Sequence, residues 1–190
     1  VGSEMCIRDS LYTVKTFHNR HVISTLNPLM GYETSVITQQ NGVESHELLG
    51  TILGPSIILP GAYWASSHIQ SPGVIVEDVP ARVSFGELDD TGSLRALDIR
   101  AVFRGAGIDT ELYLDPLQLL WQKFIVLSSL SSVTSAARTR PKELFAFHGA
   151  RKMFCDAMEE ALAVGLAKGV NLSDNLAHEC MEWIDSLPAF

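Results

Sequence analysis

Asp115–Leu144 reads DPLQLLWQKFIVLSSLSSVTSAARTRPKEL, and this stretch divides the chain into two kinds of sequence. Pro116 suits the first turn of a helix, where its missing N–H costs nothing. Leu117, Leu120, Trp121, Phe124 and Leu127 then recur at helical spacing. One cation, Lys123, stands in this apolar run, with Leu119, Leu120, Val126 and Leu127 three and four residues away. A serine-rich continuation follows: Ser128, Ser129, Ser131, Ser132, Thr134 and Ser135. Two readings of Lys123 stand side by side. A desolvated lysine loses its proton more easily and can act as a general acid near neutral pH. A lysine on an apolar helix can equally extend its ammonium into water along its aliphatic stem.

Upstream, the pattern is that of a parallel sheet. Leu11–Phe17 reads as a short strand, and His18–Met30 as an amphipathic helix (Val22, Ile23, Leu26, Leu29) stopped by Pro28 and Gly31. Thr34–Gln39 is a second strand, apolar enough to be buried, and Gln40-Asn41-Gly42 is a turn opening a helix from Glu44 to Leu53. Ser56–Leu59 is a third strand. Such a βαβ rhythm predicts a parallel sheet, whose ligands sit at the carboxyl ends of its strands. Lys15, Asn41 and Gly61–Ser67 all lie at such ends. From Ala62 onward, Ile69, Val74, Ile75, Val76 and Arg82–Gly86 predict two antiparallel strands around the Pro72-Gly73 turn. Gly92–Phe103 predicts a helix with Leu94, Leu97, Ile99 and Val102 inward, capped by Gly105 or Gly107. Thr110–Leu114 is a last short strand.

Downstream of Asp115-Pro116 everything reads as helical. One long helix is expected from about Lys142 to Lys168, with Phe145, Met153, Met158, Leu162 and Leu166 inward and Gly169 ending it. Ser173 caps another through Ile184, with Asp174 in its first turn. No G-x-G-x-x-G follows a strand and opens a helix; Gly105-Ala106-Gly107 follows a helix and is a cap. The residues alone describe half of an α/β nucleotide-type domain joined to a helical domain.

Composition narrows the function classes. The 190 residues allow one domain or two small ones, and 46% hydrophobic with 19% charged residues supports a real core over disorder. A net charge of −8 argues against non-specific nucleic-acid binding. No apolar run approaches the roughly 20 residues that span a bilayer, so no membrane partner is expected. The 3 cysteines (Cys6, Cys155, Cys180) lack disulfide or metal spacing, which fits a reducing cytoplasm. His18 and His21 have no carboxylate or cysteine nearby, and His178-Glu179-Cys180 lacks the HExxH frame, so no metal is expected. Residues 1–10, VGSEMCIRDS, have neither the apolar core of a signal peptide nor the face of a transit peptide. They look like the translated adapter sequence at the ends of many metagenomic reading frames, and are expected to be a non-native leader. The natural protein would then begin upstream of Leu11, making this an interior fragment.

A set of short motifs adds to this: Val14-Lys15, Gln40-Asn41-Gly42, Pro72-Gly73-Val74-Ile75, Phe85-Gly86, Ala106-Gly107-Ile108, Trp121-Gln122-Lys123 and Val133-Thr134-Ser135-Ala136, then the helix from Glu160 to Gly169-Val170. In order and spacing the chain resembles the ketopantoate reductases (2-dehydropantoate 2-reductases) over about residues 11–190. The resemblance implies an α/β plus all-α fold. Residues 11–114 would be the C-terminal part of a Rossmann-type NAD(P)-binding domain. Residues 115–190 would be a partial helical substrate and dimerisation domain, 6-phosphogluconate dehydrogenase C-terminal-like, with a cleft between the two. It implies NADPH-dependent reduction of a small 2-oxo acid, 2-dehydropantoate to pantoate, for pantothenate and coenzyme A biosynthesis, and it allows a homodimer. The W-x-K lysine, Lys123, would be the general acid. Asn41 would touch cofactor and substrate, Lys15 would lie at the cofactor, and Ser66 or Ser67 would line the nicotinamide side.

The chemistry agrees with these roles. Hydride delivered to a C2 carbonyl leaves negative charge on oxygen, which a positioned ammonium stabilises and then protonates. The Asn41 amide can orient a hydroxyl or carbonyl, and Lys15 offers charge to an anionic ligand. The plainer readings are a turn residue for Asn41 and a solvated surface lysine for Lys15.

The departures matter as much. Where the family carries asparagines, this chain has Leu127 and Ser131, both on the Lys123 face by the i, i+4 rule, and another is unmatched near Pro141. Ser131 remains as a substrate-binding candidate, but a leucine cannot hydrogen-bond a substrate, so the pocket has changed. The family's acidic residue and substrate serine would follow Phe190, and the glycine motif would precede Leu11. The chain by itself is therefore expected to be inactive. Two readings compete: a reductase of ketopantoate, or of another 2-oxo acid with a less polar tail, and a non-catalytic dimeric binding module of the same fold. Lys123, Asn41 and Lys15 together favour the reductase.

Overall fold

The computed structural model describes residues 9–89 and 92–186; most of the expected leader, with Cys6, lies outside them. The chain divides into two units between Leu120 and Trp121. In the first, β1 (Asp9–Tyr12), β2 (Ser35–Thr38) and the start of β3 (Ile58–Ser71) run parallel. β4 (Val74–Phe85) returns antiparallel to β3, and β5 (Asp109–Leu112) lies parallel to β4. The five strands form one sheet in that order. Helices α1 (Asn19–Val22), α2 (Ser45–Leu53) and α3 (Leu94–Gly105) connect them. Parallel strands joined by helices in a mixed sheet are the expected Rossmann-type pattern.

Neighbouring residues of a strand point to opposite faces, and both faces of this sheet are covered. Val36, Leu49 and Ile58 pack with Tyr12, Ile23 and Leu26 in one cluster. Ile37, Leu59, Val83 and Phe85 pack with Ala96 and Ile99 of α3 in another.

Several boundaries differ from expectation, each for a local reason. β1 starts at Asp9 and stops at Tyr12, and Asp9 and Ser10, placed in the leader, pair with Ser35 and Val36. Beyond Tyr12 the Val14 carbonyl is taken by the Gln40 side chain instead of a ladder. The expected helix from His18 to Met30 is a string of short turns around α1. Pro28 has no N–H to give the Ser24 carbonyl, and the Ser24 and Thr25 hydroxyls compete for the His21 and Val22 carbonyls, which weakens a continuous α ladder. The third strand and the first hairpin strand are one 14-residue strand, buried over its first five residues and exposed along the rest. In α3, Ala96 and Ile99 face the sheet while Leu94 and Val102 are exposed. Glu87, buried at the end of β4, sets that rotation: it accepts the Ser93 hydroxyl and the Arg95 guanidinium, and Ser93 Oγ caps Ala96 N–H at 3.1 Å.

The second unit is helical. α4 (Pro116–Ala137) starts in the first unit, capped by Asp115, whose Oδ1 accepts the Gln118 N–H at 2.9 Å. Trp121, Ile125, Ser129 and Val133 form its buried stripe. The expected single helix from Lys142 to Lys168 is two, α5 (Pro141–Phe145) and α6 (His148–Ala167), because Ala146 and Phe147 N–H groups close back on Glu143 and Leu144. The inward face of α6 is Phe154, Met158, Leu162 and Gly165; Met153 is exposed. A Cβ at Gly165 would sit 2.6 Å from Leu172 and 3.0 Å from Trp121, so glycine lets α6 approach. α7 (Leu176–Ser186) begins after Ser173, whose Oγ accepts the Asn175 N–H. No helix among the described residues is long and apolar enough to cross a membrane.

Two substitutions test this packing in opposite directions. A Cβ at Gly86 would lie 2.0 Å from the Tyr113 carbonyl oxygen, so Gly86→Ala should destabilise the protein by on the order of 3 kcal/mol, read as a fall in Tm. Arg138 closes α4 at φ 51°, among the described residues the one non-glycine at positive φ. Arg138→Gly should stabilise by about 1 kcal/mol, read as a rise in urea midpoint; a fall would mean that the guanidinium contributes more than the strain costs.

Candidate functional site

In the first unit, the carboxyl ends of β1 and β2 are joined by side chains. Gln39 N–H continues the ladder to the Tyr12 carbonyl at 3.1 Å. Beyond it Gln40 turns inward and is 6% exposed. Its Nε2 donates to Asn19 Oδ1 at 2.8 Å and to the Val14 carbonyl, while Asn19 Nδ2 donates back to Gln40 Oε1 at 3.3 Å. The Tyr12 hydroxyl donates to the same Asn19 oxygen at 3.1 Å. Burial pushes the Tyr12 phenol above its ordinary pKa, so it remains a donor.

Lys15 and Asn41 hang from this network. Lys15 is exposed, one residue after Val14, at the extended start of a short turn whose N–H of His18 bonds the Lys15 carbonyl at 2.9 Å. Asn41 is exposed, one residue after Gln40, and Gly42 at φ 107° lets the chain reverse toward α2. Gln39 Nε2, at the same sheet end, is a buried donor with no hydrogen-bond partner. Such an orphan is the kind of group that a bound ligand satisfies.

Ser66 and Ser67 are placed elsewhere. The register pairs Thr38 with Pro60, so Ala62 is level with Gln40 and only 1% exposed. Ser66 lies four residues further along β3, about 13 Å at the usual rise per residue, on the exposed arm paired with Val79. The structure brings Lys15 and Asn41 to one sheet end, and leaves both serines beyond it.

In the second unit, Lys123 is half-buried, and that burial lowers its pKa from the ordinary lysine value to about 8. Lys123, Leu127 and Ser131 recur every fourth residue, about 200° around α4 from the buried Trp121 stripe. Leu127 is half-buried and Ser131 exposed. Of the other hydroxyls on this helix, Ser128 donates to the Phe124 carbonyl and Thr134 to the Leu130 carbonyl, both at 2.6 Å, Ser129 is buried, and Ser132 and Ser135 are exposed. A surface pocket of about 500 Å³, lined by Thr134, Ser135, Arg138, Thr139, Arg140 and Glu143, lies at the far end of α4. Its nearest lining residue is about 16 Å along the axis from Lys123, and no residue expected in the site lines it. Among the described residues no His, Cys, Asp or Glu group is arranged to hold a metal.

Sequence reasoning missed Tyr12, Asn19 and Gln40. One signal was there: Asn19 shares the helical spacing of Ile23 and Leu26, a polar residue on the face that packs inward.

Residues 10–90 match the family described as Ketopantoate reductase PanE/ApbA, and residues 115–190 match Ketopantoate reductase PanE/ApbA C terminal. A 2-dehydropantoate 2-reductase of Halobacterium salinarum is 21% identical over 147 residues, 77% of this chain and 48% of that protein. Among solved structures, 2-dehydropantoate 2-reductase from Geobacter metallireducens superposes with a TM-score of 0.87 at 24% identity, covering 96% of this chain and 62% of that one. D-mandelate dehydrogenase with NADH and anilino(oxo)acetate gives 0.85 at 16% identity, covering 98% and 60%. The dimeric ketopantoate reductase of Staphylococcus aureus gives 0.76 at 19% identity, covering 96% and 60%. The chain thus spans about half the length of the curated relative and about three-fifths of these structures.

Proposed function

The chain belongs to the ketopantoate reductase PanE/ApbA family, and on that premise we propose that the enzyme carrying it reduces the C2 carbonyl of a small 2-oxo acid with NADPH. The substrate is 2-dehydropantoate, giving pantoate for pantothenate and coenzyme A, or a close relative with a less polar tail. The observation that carries this reading is Lys123, a half-buried amine on an apolar helix with its pKa drawn down to about 8. A surface lysine would hold its proton too tightly to donate well near neutrality. At about 8 the group is still mostly protonated at pH 7 and gives the proton up readily.

The residues at the sheet end fit a nicotinamide cofactor: exposed Lys15, exposed Asn41 and the unpartnered Gln39 donor stand where a parallel sheet holds its ligands. Lys15 supplies positive charge to the cofactor's anionic part. The Asn41 amide contacts cofactor and substrate. When bound, the cofactor supplies the hydride. Lys123 stabilises the negative charge that grows on the carbonyl oxygen and then protonates it, leaving a neutral amine that solvent recharges. Ser131 offers a hydroxyl to the substrate's tail. A non-catalytic module of this fold has no use for a lysine held near pH 8, which counts against that alternative. Since the Staphylococcus aureus relative is described as dimeric, a homodimer is the assembly proposed, in the cytoplasm.

Lys123→Ala should lower kcat by about 10²- to 10⁴-fold, the usual worth of a positioned acid. With the native lysine, kcat/KM for reduction should hold below about pH 8 and fall about tenfold per unit above it, while oxidation of the 2-hydroxy acid rises through the same pH. A loss under threefold in the variant, with a flat profile from pH 7 to 10, would make Lys123 a surface-seeking lysine.

Leu127 and Ser131 generate a second expectation. Leu127→Asn with Ser131→Asn should raise activity on ketopantoate relative to 2-oxo acids with purely apolar tails, because a site that hydrogen-bonds a hydroxyl rejects analogues lacking it. An unchanged order of preference across such a panel would remove these positions from substrate selection.

A further inference from the structure

The polar network at the sheet end has a property that packing alone does not require. Its amides are tied at several points: both Nε2 hydrogens of Gln40 are used, on Asn19 and on Val14, and Asn19 Oδ1 accepts from both Tyr12 and Gln40. Tyr12, Asn19 and Gln40 are 3%, 5% and 6% exposed, beside the cluster of Ile23, Leu26, Val36, Leu49 and Ile58. Well-packed apolar residues of similar volume would serve stability about as well as hydrogen-bonded polar ones. What apolar residues cannot supply is direction. The reciprocal amide pair fixes two segments 21 residues apart in sequence, and each anchor point is one peptide from an outward-facing residue. Val14 precedes Lys15, and Gln40 precedes Asn41.

We propose that Asn19 and Gln40 are positioning residues of the cofactor and substrate site: their amide pair, anchored by Tyr12, holds the Lys15 turn and the Asn41-Gly42 turn in one relative geometry. The inference rests on the reading of Lys15 and Asn41 given above. Placement of binding groups matters steeply, since a displacement of about 1 Å can cost a hundredfold in rate. Such a pair resists displacement because rotating either amide breaks three bonds at once.

The test compares variants of the enzyme carrying this sequence, measuring Tm, NADPH Kd by nucleotide fluorescence, and KM and kcat with ketopantoate. Gln40→Met keeps the volume and removes the amide; it should raise Kd and KM by about fivefold or more, the equivalent of a lost hydrogen bond. Tyr12→Phe keeps the ring in the core and removes one donor, and should raise both about twofold to threefold with little change in Tm. The exchange Asn19→Gln with Gln40→Asn restores a reciprocal pair and should recover most of the binding lost in Gln40→Met. Lys15→Ala and Asn41→Ala serve as references. A lowered Tm in Gln40→Met, with Kd and KM within about twofold of native while Asn41→Ala raises them, would overturn the proposal and leave the site reading standing. If both references are also silent, the site reading fails and the positioning role falls with it. Should Gln40→Met not fold, Tyr12→Phe decides: Kd and KM unchanged from native, while Asn41→Ala raises them, would overturn the proposal.

Discussion

Val36 and Ile37 are consecutive residues of one strand, and both are fully buried. Consecutive strand residues face opposite ways, so β2 is stable only if both sides of the sheet are covered. That constraint organises the first unit. The side chains of Tyr12, Ile23, Leu26 and Leu49 cover one face, and those of α3 cover the other. A parallel sheet covered on both faces is open to a ligand only at its ends. Lys15 and Asn41 occupy such an end because the chain leaves the sheet there, and the buried amides decide where it leaves.

Burying Lys123 works against stability. Its pKa is lower in the folded protein than in the unfolded chain, so the unfolded state binds its proton more tightly. The group therefore disfavours folding at every pH below about 8, and the penalty is relieved only as pH rises from there toward the ordinary lysine value. A residue kept where it opposes folding at neutral pH needs a reason, and proton transfer is one. The Trp121, Ile125, Ser129 and Val133 stripe bears the packing load on a different side of the same helix. The proposed acid and the packing stripe thus lie on different sides of one helix axis.

What was legible in the sequence was periodicity and punctuation. The Gln40-Asn41-Gly42 turn, the Asp115-Pro116 helix start and the Pro72-Gly73 hairpin each rest on a local backbone preference, and each appears in the structure. Helix phase was not legible. Met153 and Phe154 fit an apolar face equally well by spacing, and the approach of Trp121 and Leu172 to Gly165 decides which one turns inward. The same holds for α3, whose rotation is set by Glu87, a residue outside the helix. Likewise, nothing local in His18–Met30 says that Asn19 will find Gln40, a partner far along the chain. Lys123 and Asn41 could be singled out because their motifs are contiguous; the groups that hold Asn41 in place are dispersed, and only folding gathers them.

The α4 hydroxyls complete the argument about the substrate. A serine run beside a candidate acid invites the idea of a polar binding surface, but Ser128 and Thr134 donate to their own helix and Ser129 is buried. On the Lys123 face that leaves Leu127 and the exposed Ser131. An apolar side chain discriminates weakly: a missing or added methylene is worth about 1–3 kcal/mol, and an added hydroxyl is rejected by only about a hundredfold. An asparagine at the same position would penalise every acid without a matching hydroxyl much more heavily, since its amide would be left unpaired. Under the proposed role, leucine there would relax selection on the tail of a 2-oxo acid more than redirect it. Discrimination would then fall to what every such acid shares, the carbonyl at C2 and the carboxylate beside it.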